Sequence, residues 1–304
     1  MESTSEPSRT ISAARAHLER GFRFEQAGTL ERALEAYRDA LAARPTEPEE
    51  AEARLRVARV YRSMARWAEA RVESREAVRI ARAIGTNDLA AEALNIEVGA
   101  LQLQGFFDDA DVIALEALAL AQSHRVRGIT LQNLGRSAAE RREFEKSDEY
   151  FDASISAFRS ANYEVGLAIA LANAAKAALD RGDAERSIEI GMESVGIARR
   201  LNALDVLLTA VQNQAAAHVA IGDLEAAESL LTEALGHFTT ARNPVRQAEC
   251  LEIMGRISEV REDFATAARC YARARDLATA ANDLPLVERL ARKAAAADEH
   301  REQA

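Results

Sequence analysis

Between Leu30 and Leu41 the apolar positions Leu30, Ala33, Leu34, Tyr37, Ala40 and Leu41 recur at i, i+3, i+4 and i+7, the spacing of one helix face. An earlier helix carries Leu18, Gly21, Phe22 and Phe24; Gly28 breaks it, and Pro45 stops the second. This two-helix pattern returns along the chain. Its sharpest mark is a small residue seven positions before another: Ala33/Ala40, Ala70/Ala77, Ala110/Ala117, Ser147/Ser154, Ser187/Ser194, Ala227/Ala234 and Ala267/Ala274. The first members lie 37, 40, 37, 40, 40 and 40 residues apart, a period that predicts a stack of helical hairpins. Small side chains on the repeated face predict helices that approach one another closely.

Counted from Ala14, the first unit has a small residue at position 8 (Gly21), an aromatic at 11 (Phe24), Gly at 15 (Gly28), Ala at 20 (Ala33), Tyr at 24 (Tyr37), Ala at 27 (Ala40) and Pro at 32 (Pro45). This pattern resembles the signature of the tetratricopeptide repeat family. Six further units start at Ala51, Ala91, Gly128, Ala168, Leu208 and Ala248, and the likeness covers about nine-tenths of the chain. At the turn between the two helices Gly28, Gly105, Gly182 and Gly222 follow the pattern, whereas Ala65, Arg142 and Glu262 depart from it. The bulky position after the turn reads Leu30, Trp67, Phe107, Phe144, Ala184, Leu224 and Phe264.

The resemblance implies an all-α chain: a right-handed superhelical solenoid of about seven tetratricopeptide hairpins over residues 10–283, closed by a capping helix and short tail over 284–304. The polar stretch 1–9 reads as a disordered tail. The common period of 40 exceeds the family's usual repeat. It is similar to the extended arrays of kinesin light chains, of receptor-coupled polarity adaptors and of bacterial peptide-sensing and transcription regulators. The lengthened second helices end in loops such as Ile84-Gly85-Thr86-Asn87, Ala161-Asn162-Tyr163, Leu201-Asn202-Ala203, Arg242-Asn243-Pro244 and Ala281-Asn282-Asp283, where Asn is expected to take the left-handed cap.

Composition narrows the function classes. A formal charge of −10 argues against nucleic acid as ligand, because phosphate binding needs a basic face. Only Lys146, Lys176 and Lys293 among the 39 cations are lysines, and with the alanine excess this points to a GC-rich bacterial genome. No apolar run approaches the roughly 18 residues of a membrane span. Cys250 and Cys270 form no disulfide framework, and the N-terminus lacks an apolar signal core, so the expected location is cytoplasmic.

In the tetratricopeptide family the first helix of each hairpin lines a concave groove, with positions 2, 5, 6, 9, 12 and 13 pointing inward. The resemblance therefore places Asn133, Asn173 and Asn213 at position 6 of three successive units, with Asn95 one residue earlier in the unit before. An amide carries both donors and acceptors, enough to grip an extended peptide backbone. The other reading is that these amides bond to a neighbouring helix and set the repeat spacing. Position 9 supplies Arg59, Arg136, Lys176 and Arg256; the second unit adds Arg56 and Arg62, and Gln132 and Gln212 extend the polar set. Such cations in an acidic protein form a focused positive strip for carboxylates or phosphates, unless acids such as Glu25, Glu52 and Glu140 neutralise them.

No enzyme constellation is visible. The five histidines are scattered along the chain without metal-ligand spacing, no glycine-rich phosphate loop follows a strand, and neither cofactor nor metal is expected. The expected function is a non-enzymatic interaction module or adaptor that binds an extended acidic peptide segment of a partner protein in its groove, as a monomer or homodimer, without nucleic acid or membrane. The alternative is a bacterial regulatory sensor that binds a signalling peptide or small molecule and acts on a separate effector.

Overall fold

A computed structural model describes residues 12–303. The stretch 1–9, expected to be a tail, lies outside the described residues. Among the described residues there are fifteen helices and no strand. Contacts divide the chain into two compact units, 1–141 and 142–304. The first unit contains α1 (Ala13–Gln26), α2 (Leu30–Ala42), α3 (Glu47–Ser63), α4 (Trp67–Ala83), α5 (Asn87–Leu103), α6 (Phe107–Leu120) and α7 (His124–Glu140). The second contains α8 (Phe144–Ser160), α9 (Glu164–Arg181), α10 (Ala184–Arg200), α11 (Leu204–Ala220), α12 (Leu224–Thr240), α13 (Pro244–Val260), α14 (Phe264–Ala280) and α15 (Leu284–Gln303).

The repeat length follows from these bounds. From α11 to α14 each helix has 17 residues and each connection three, so a helical pair with its two connections occupies forty. The extra length is thus shared by both helices and is not confined to the second. The two 37-residue spacings arise where the second helix is short: α2 has 13 residues and α6 has 14. Helix α6 stops early at Ala121, whose backbone turns extended, and the Asp88 carboxylate accepts the following N–H groups of Gln122 (2.7 Å) and Ser123 (3.1 Å).

The small-residue pairs lie where the helices meet: Ala33, Ala40, Ala70, Ala77, Ala110, Ala117, Ser147, Ser154, Ser187, Ser194, Ala227, Ala234, Ala267 and Ala274 are all buried. Each bulky post-turn residue, from Leu30 to Phe264, is the first residue of a second helix. Tyr37 and Tyr271 are fully buried, and each ring occupies the space that a Cβ at Gly21 or Gly255 would need. The glycine at position 8 and the tyrosine at position 24 are therefore one packing unit.

The turns keep one backbone conformation whether or not glycine is present. Gly28, Gly105, Gly182 and Gly222 have positive φ, and so do Ala65 (55°), Arg142 (60°) and Glu262 (59°). Between repeats Asn162, Asn202 and Asn282 take the left-handed cap as expected, whereas in Ile84-Gly85-Thr86-Asn87 it is Gly85 that does so and Asn87 is the first residue of α5. The Arg242-Asn243-Pro244 loop differs: Arg242 is the left-handed residue, while Asn243 is the N-cap of α13 and accepts the Arg246 N–H at 3.1 Å. Asn243 stands one residue later in its loop than Asn162, Asn202 and Asn282, at the place where Tyr163 and Ala203 are the N-caps of α9 and α11 with similar backbone, and Pro244 adds to that preference by restricting the residue before it.

Helix α15 packs on α14, with Leu286, Leu290, Ala294 and Ala297 buried. It is also tied to α13, since Glu252 accepts from Arg289 (2.9 Å) and pairs with Lys293 (2.8 Å). Burial alone would raise the Glu252 pKa, but the bonds from Arg289 and Lys293 outweigh it and hold the carboxyl below its ordinary value. A depressed carboxylate pKa contributes stability that is complete above the unfolded value, about 4.3, and is lost as pH falls through the folded value. Glu252→Gln is expected to cost about 1 kcal/mol at neutral pH after solvent screening. It should also flatten the acid limb below about pH 4.3, as read by urea unfolding at a series of pH values; an acid limb identical to wild type would contradict this anchoring role.

Candidate functional site

In the first unit the first helices α1, α3, α5 and α7 pack side by side and form one wall. Helix α3 presents Arg56, Arg59 and Arg62 on successive turns, and α7 presents Arg136. These cations are not equivalent. Arg56 stands 3.8 Å from both Glu25 and Glu52, with its guanidinium over the Phe22 ring. Arg59 stands 3.8 Å from Glu25 and 3.9 Å from Glu92. Glu25 is fixed from behind by the Tyr37 hydroxyl, which donates at 2.6 Å.

The Arg62 guanidinium has neither hydrogen bond nor ion pair among the described residues, while the backbone carbonyl of Arg62 accepts from Ala65 N–H at 3.0 Å. Burial of its guanidinium, and then the charges of Arg59 and Arg136, pull its pKa below the usual guanidinium range. Arg136 donates to Gln102 Oε1 and makes no ion pair among the described residues. Burial lowers its pKa as well, opposed by Glu140. The wall thus runs from Arg56 and Arg59, each within 4 Å of carboxylates, to Arg136, on which Glu140 acts from beyond ion-pair distance, and Arg62, which faces only like charges.

The asparagines of this unit face one another. Asn95 and Asn133 are both buried; Asn133 Nδ2 donates to Asn95 Oδ1 at 3.0 Å, and Asn95 Nδ2 donates to Ala91 O and to Thr130 Oγ1. These bonds join α5 to α7. Gln132 is half-buried beside them. Asn173 and Asn213 belong to the second unit, where Asn213 Nδ2 donates to Ala172 O at 2.9 Å and joins α11 to α9. Asn173 is half-buried and lines a small cleft of about 150 Å³ with Ile169, Asp205 and Thr209. Lys176 is exposed and pairs with Asp180 four residues on. Gln212 lines a larger cleft of about 740 Å³ between α11 and α13, shared with Val219, Ile253, Arg256 and Val260.

Three residues of these walls escape a reading by repeat position. Gln102 accepts from Arg136 and donates to Asn133 O (2.7 Å) and Ser137 Oγ (2.8 Å), so its amide is held from both sides. Gly99, in the middle of α5, leaves the space taken by Arg62: a Cβ there would fall 2.7 Å from Arg62 Nη1. Gln214 donates to Ser187 O and Ile188 O and fills the space above Gly191. The available signal was glycine in a helix interior, a choice that costs about 1 kcal/mol relative to alanine and calls for a packing reason. Cys250 is buried, and burial, then Glu249, pushes its thiol up to about 12; this is an inert core cysteine.

Neither a protein-family model nor a curated protein matches the sequence significantly. Solved structures do match in fold. The apo form of RapI superposes with a TM-score of 0.60 at 16% identity, covering 96% of this chain and 99% of that one. A Rap protein complexed with Competence and Sporulation Factor gives 0.64 at 16% identity, over 92% of this chain and 76% of that one. A tetratricopeptide repeat protein from Parabacteroides merdae gives 0.58 at 15% identity, over 92% and 98%. The hairpins and these likenesses define an all-α helical-repeat protein. Its fold is that of the tetratricopeptide-repeat proteins.

Proposed function

We propose that the chain is a non-enzymatic interaction module whose first-helix wall binds an extended, acidic peptide segment of a partner protein. The observation that carries this reading is the convergence of Arg56, Arg59, Arg62 and Arg136 on one wall of a protein with net charge −10, with Arg62 and Arg136 lacking any ion pair among the described residues. Packed helices lie about 8–10 Å apart, so the path from α3 to α7 is roughly 16–20 Å, the reach of about six extended residues. Gln132 belongs to the same wall, and the bonded pair Asn95–Asn133 stiffens it. In the second unit Asn173, Lys176, Gln212 and Asn213 mark a further binding face, where the cleft beside Gln212 suits an apolar side chain. The arginine-rich composition and the two free cysteines support a bacterial cytoplasm as the setting.

A second reading, a peptide-responsive regulatory sensor, is supported by one of the fold neighbours, a Rap protein crystallised with Competence and Sporulation Factor. Fluorescence anisotropy of the full chain with short acidic, neutral and basic peptide pools tests the first reading. Acidic peptides are expected to bind, with affinity that falls as salt rises and is lost in an Arg59→Glu/Arg136→Glu variant. Equal binding of basic peptides, or no binding of acidic ones, would overturn it.

A further inference from the structure

Four observations meet at one point of the first unit. Arg62 lacks a counterion while Arg56 and Arg59 each stand within 4 Å of carboxylates. Its near charges, Arg59 and Arg136, have its own sign. Gly99 clears the space around Arg62 Nη1. Gln102, anchored on Asn133 O and Ser137 Oγ, presents Oε1 to Arg136 and so aims that guanidinium while leaving its remaining N–H groups unassigned among the described residues.

Buried or half-buried charges in proteins are ordinarily paired, because removing a guanidinium from water without a counterion is unfavourable. Placing two of them together adds Coulomb repulsion. An interior glycine in α5 adds a further cost in helix propensity. All three costs disappear, or become useful, when an anion arrives: the guanidinium groups are already partly desolvated, already oriented, and present several N–H donors to one acceptor group. We propose that Arg62 and Arg136, framed by Gly99 and Gln102, form a receptor for one compact oxyanion, a carboxylate or phosphate group. The inference rests on the reading of this wall as a ligand-binding face, and it locates the one point on the wall where the ligand's charge is demanded. Arg56 and Arg59 serve a different role, since Glu25, Glu52 and Glu92 already balance them.

The test uses the full chain and two probes, inorganic phosphate and acetate, titrated at ionic strength held constant with sodium chloride while the thermal midpoint is followed. Wild type is expected to show a saturable rise with at least one of them, and the more effective probe identifies the oxyanion. In Arg62→Met the apparent affinity should fall at least about tenfold, the loss of one charge-assisted bond. Gly99→Ala should weaken it similarly by displacing the guanidinium. Arg62→Met keeps the length of the side chain and removes the unpaired charge, so a lost response will not reflect unfolding; its midpoint without anion verifies this. No saturable rise with either probe, or an equal rise in Arg62→Met, overturns the receptor. The outcome is separable from that of the peptide assay: a saturable anion response with no acidic-peptide binding would refute the peptide reading alone. Peptide binding that Arg62→Met leaves unchanged would refute the receptor alone.

Discussion

Tyr37→Ala is expected to destabilise the first unit by about 3–5 kcal/mol, the usual cost of deleting a large ring from a packed core. Tyr37 is fully buried, and its ring lies against Gly21 with no space for a Cβ between them. The same residue reaches the candidate site, because its hydroxyl donates to Glu25, the carboxylate that stands beside Arg56 and Arg59. Burial, followed by the bond and the charge of Glu25, raises the phenol's pKa, so it stays a donor throughout the range in which the protein is handled. Urea unfolding gives the size of the effect. A double-mutant cycle identifies its cause: Gly21→Ala should destabilise the wild type through overlap with the ring. In the Tyr37→Ala background it should become neutral or stabilising, since alanine is favoured over glycine in a helix by about 1 kcal/mol and the space is then free. A Gly21→Ala effect of the same sign and size in both backgrounds would show that the two positions are not one packing unit.

Arg62→Met is expected to act in the opposite direction on stability. Removing a partly desolvated cation that has no counterion, while keeping an apolar stem of similar length, should stabilise the ligand-free chain by about 1–3 kcal/mol. The pKa of Arg62, lowered by burial and then by Arg59 and Arg136, is the electrostatic signature of the same strain. The expected pair of results, higher urea midpoint and weaker anion response, is the trade between stability and binding seen at sites prepared for a ligand. A variant less stable than wild type would mean that packing of the arginine stem against α5 outweighs the charge.

The hairpin period was legible because it depends on local chemistry repeated at fixed spacing. Small residues seven apart, a bulky residue after each turn and Asn at the loops each act through backbone geometry or nearest-helix contact. For that reason Asn162, Asn202 and Asn282 take the left-handed cap. Asn243 escapes the same reading because it stands one residue later in its loop, at the N-cap position, and leaves the left-handed place to Arg242. The even division of the repeat into 17-residue helices was not legible, since the first helices from α3 on begin four residues before the repeat frame's first position, α11 at Leu204 against Leu208 and α13 at Pro244 against Ala248, and that extra turn read as part of the preceding second helix.

Repeat position alone placed the cations of the wall on one face, Arg56, Arg59 and Arg62 by helical spacing and Arg136 by its place in the next first helix but one. It also brought the amides to that side of their helices. Which cation has a counterion, and where each amide points, depends on residues far away in the chain. Asn133 meets Asn95 across 38 positions, and Arg136 meets Gln102 across 34. Arg62 occupies the space left by Gly99 of the next first helix. Helix periodicity determines a side chain's direction to within a face, whereas pairing is decided within a few ångströms by how neighbouring helices pack. The hairpin architecture and the charged wall thus follow from local spacing, and the unpaired arginines emerge only when α3, α5 and α7 are side by side.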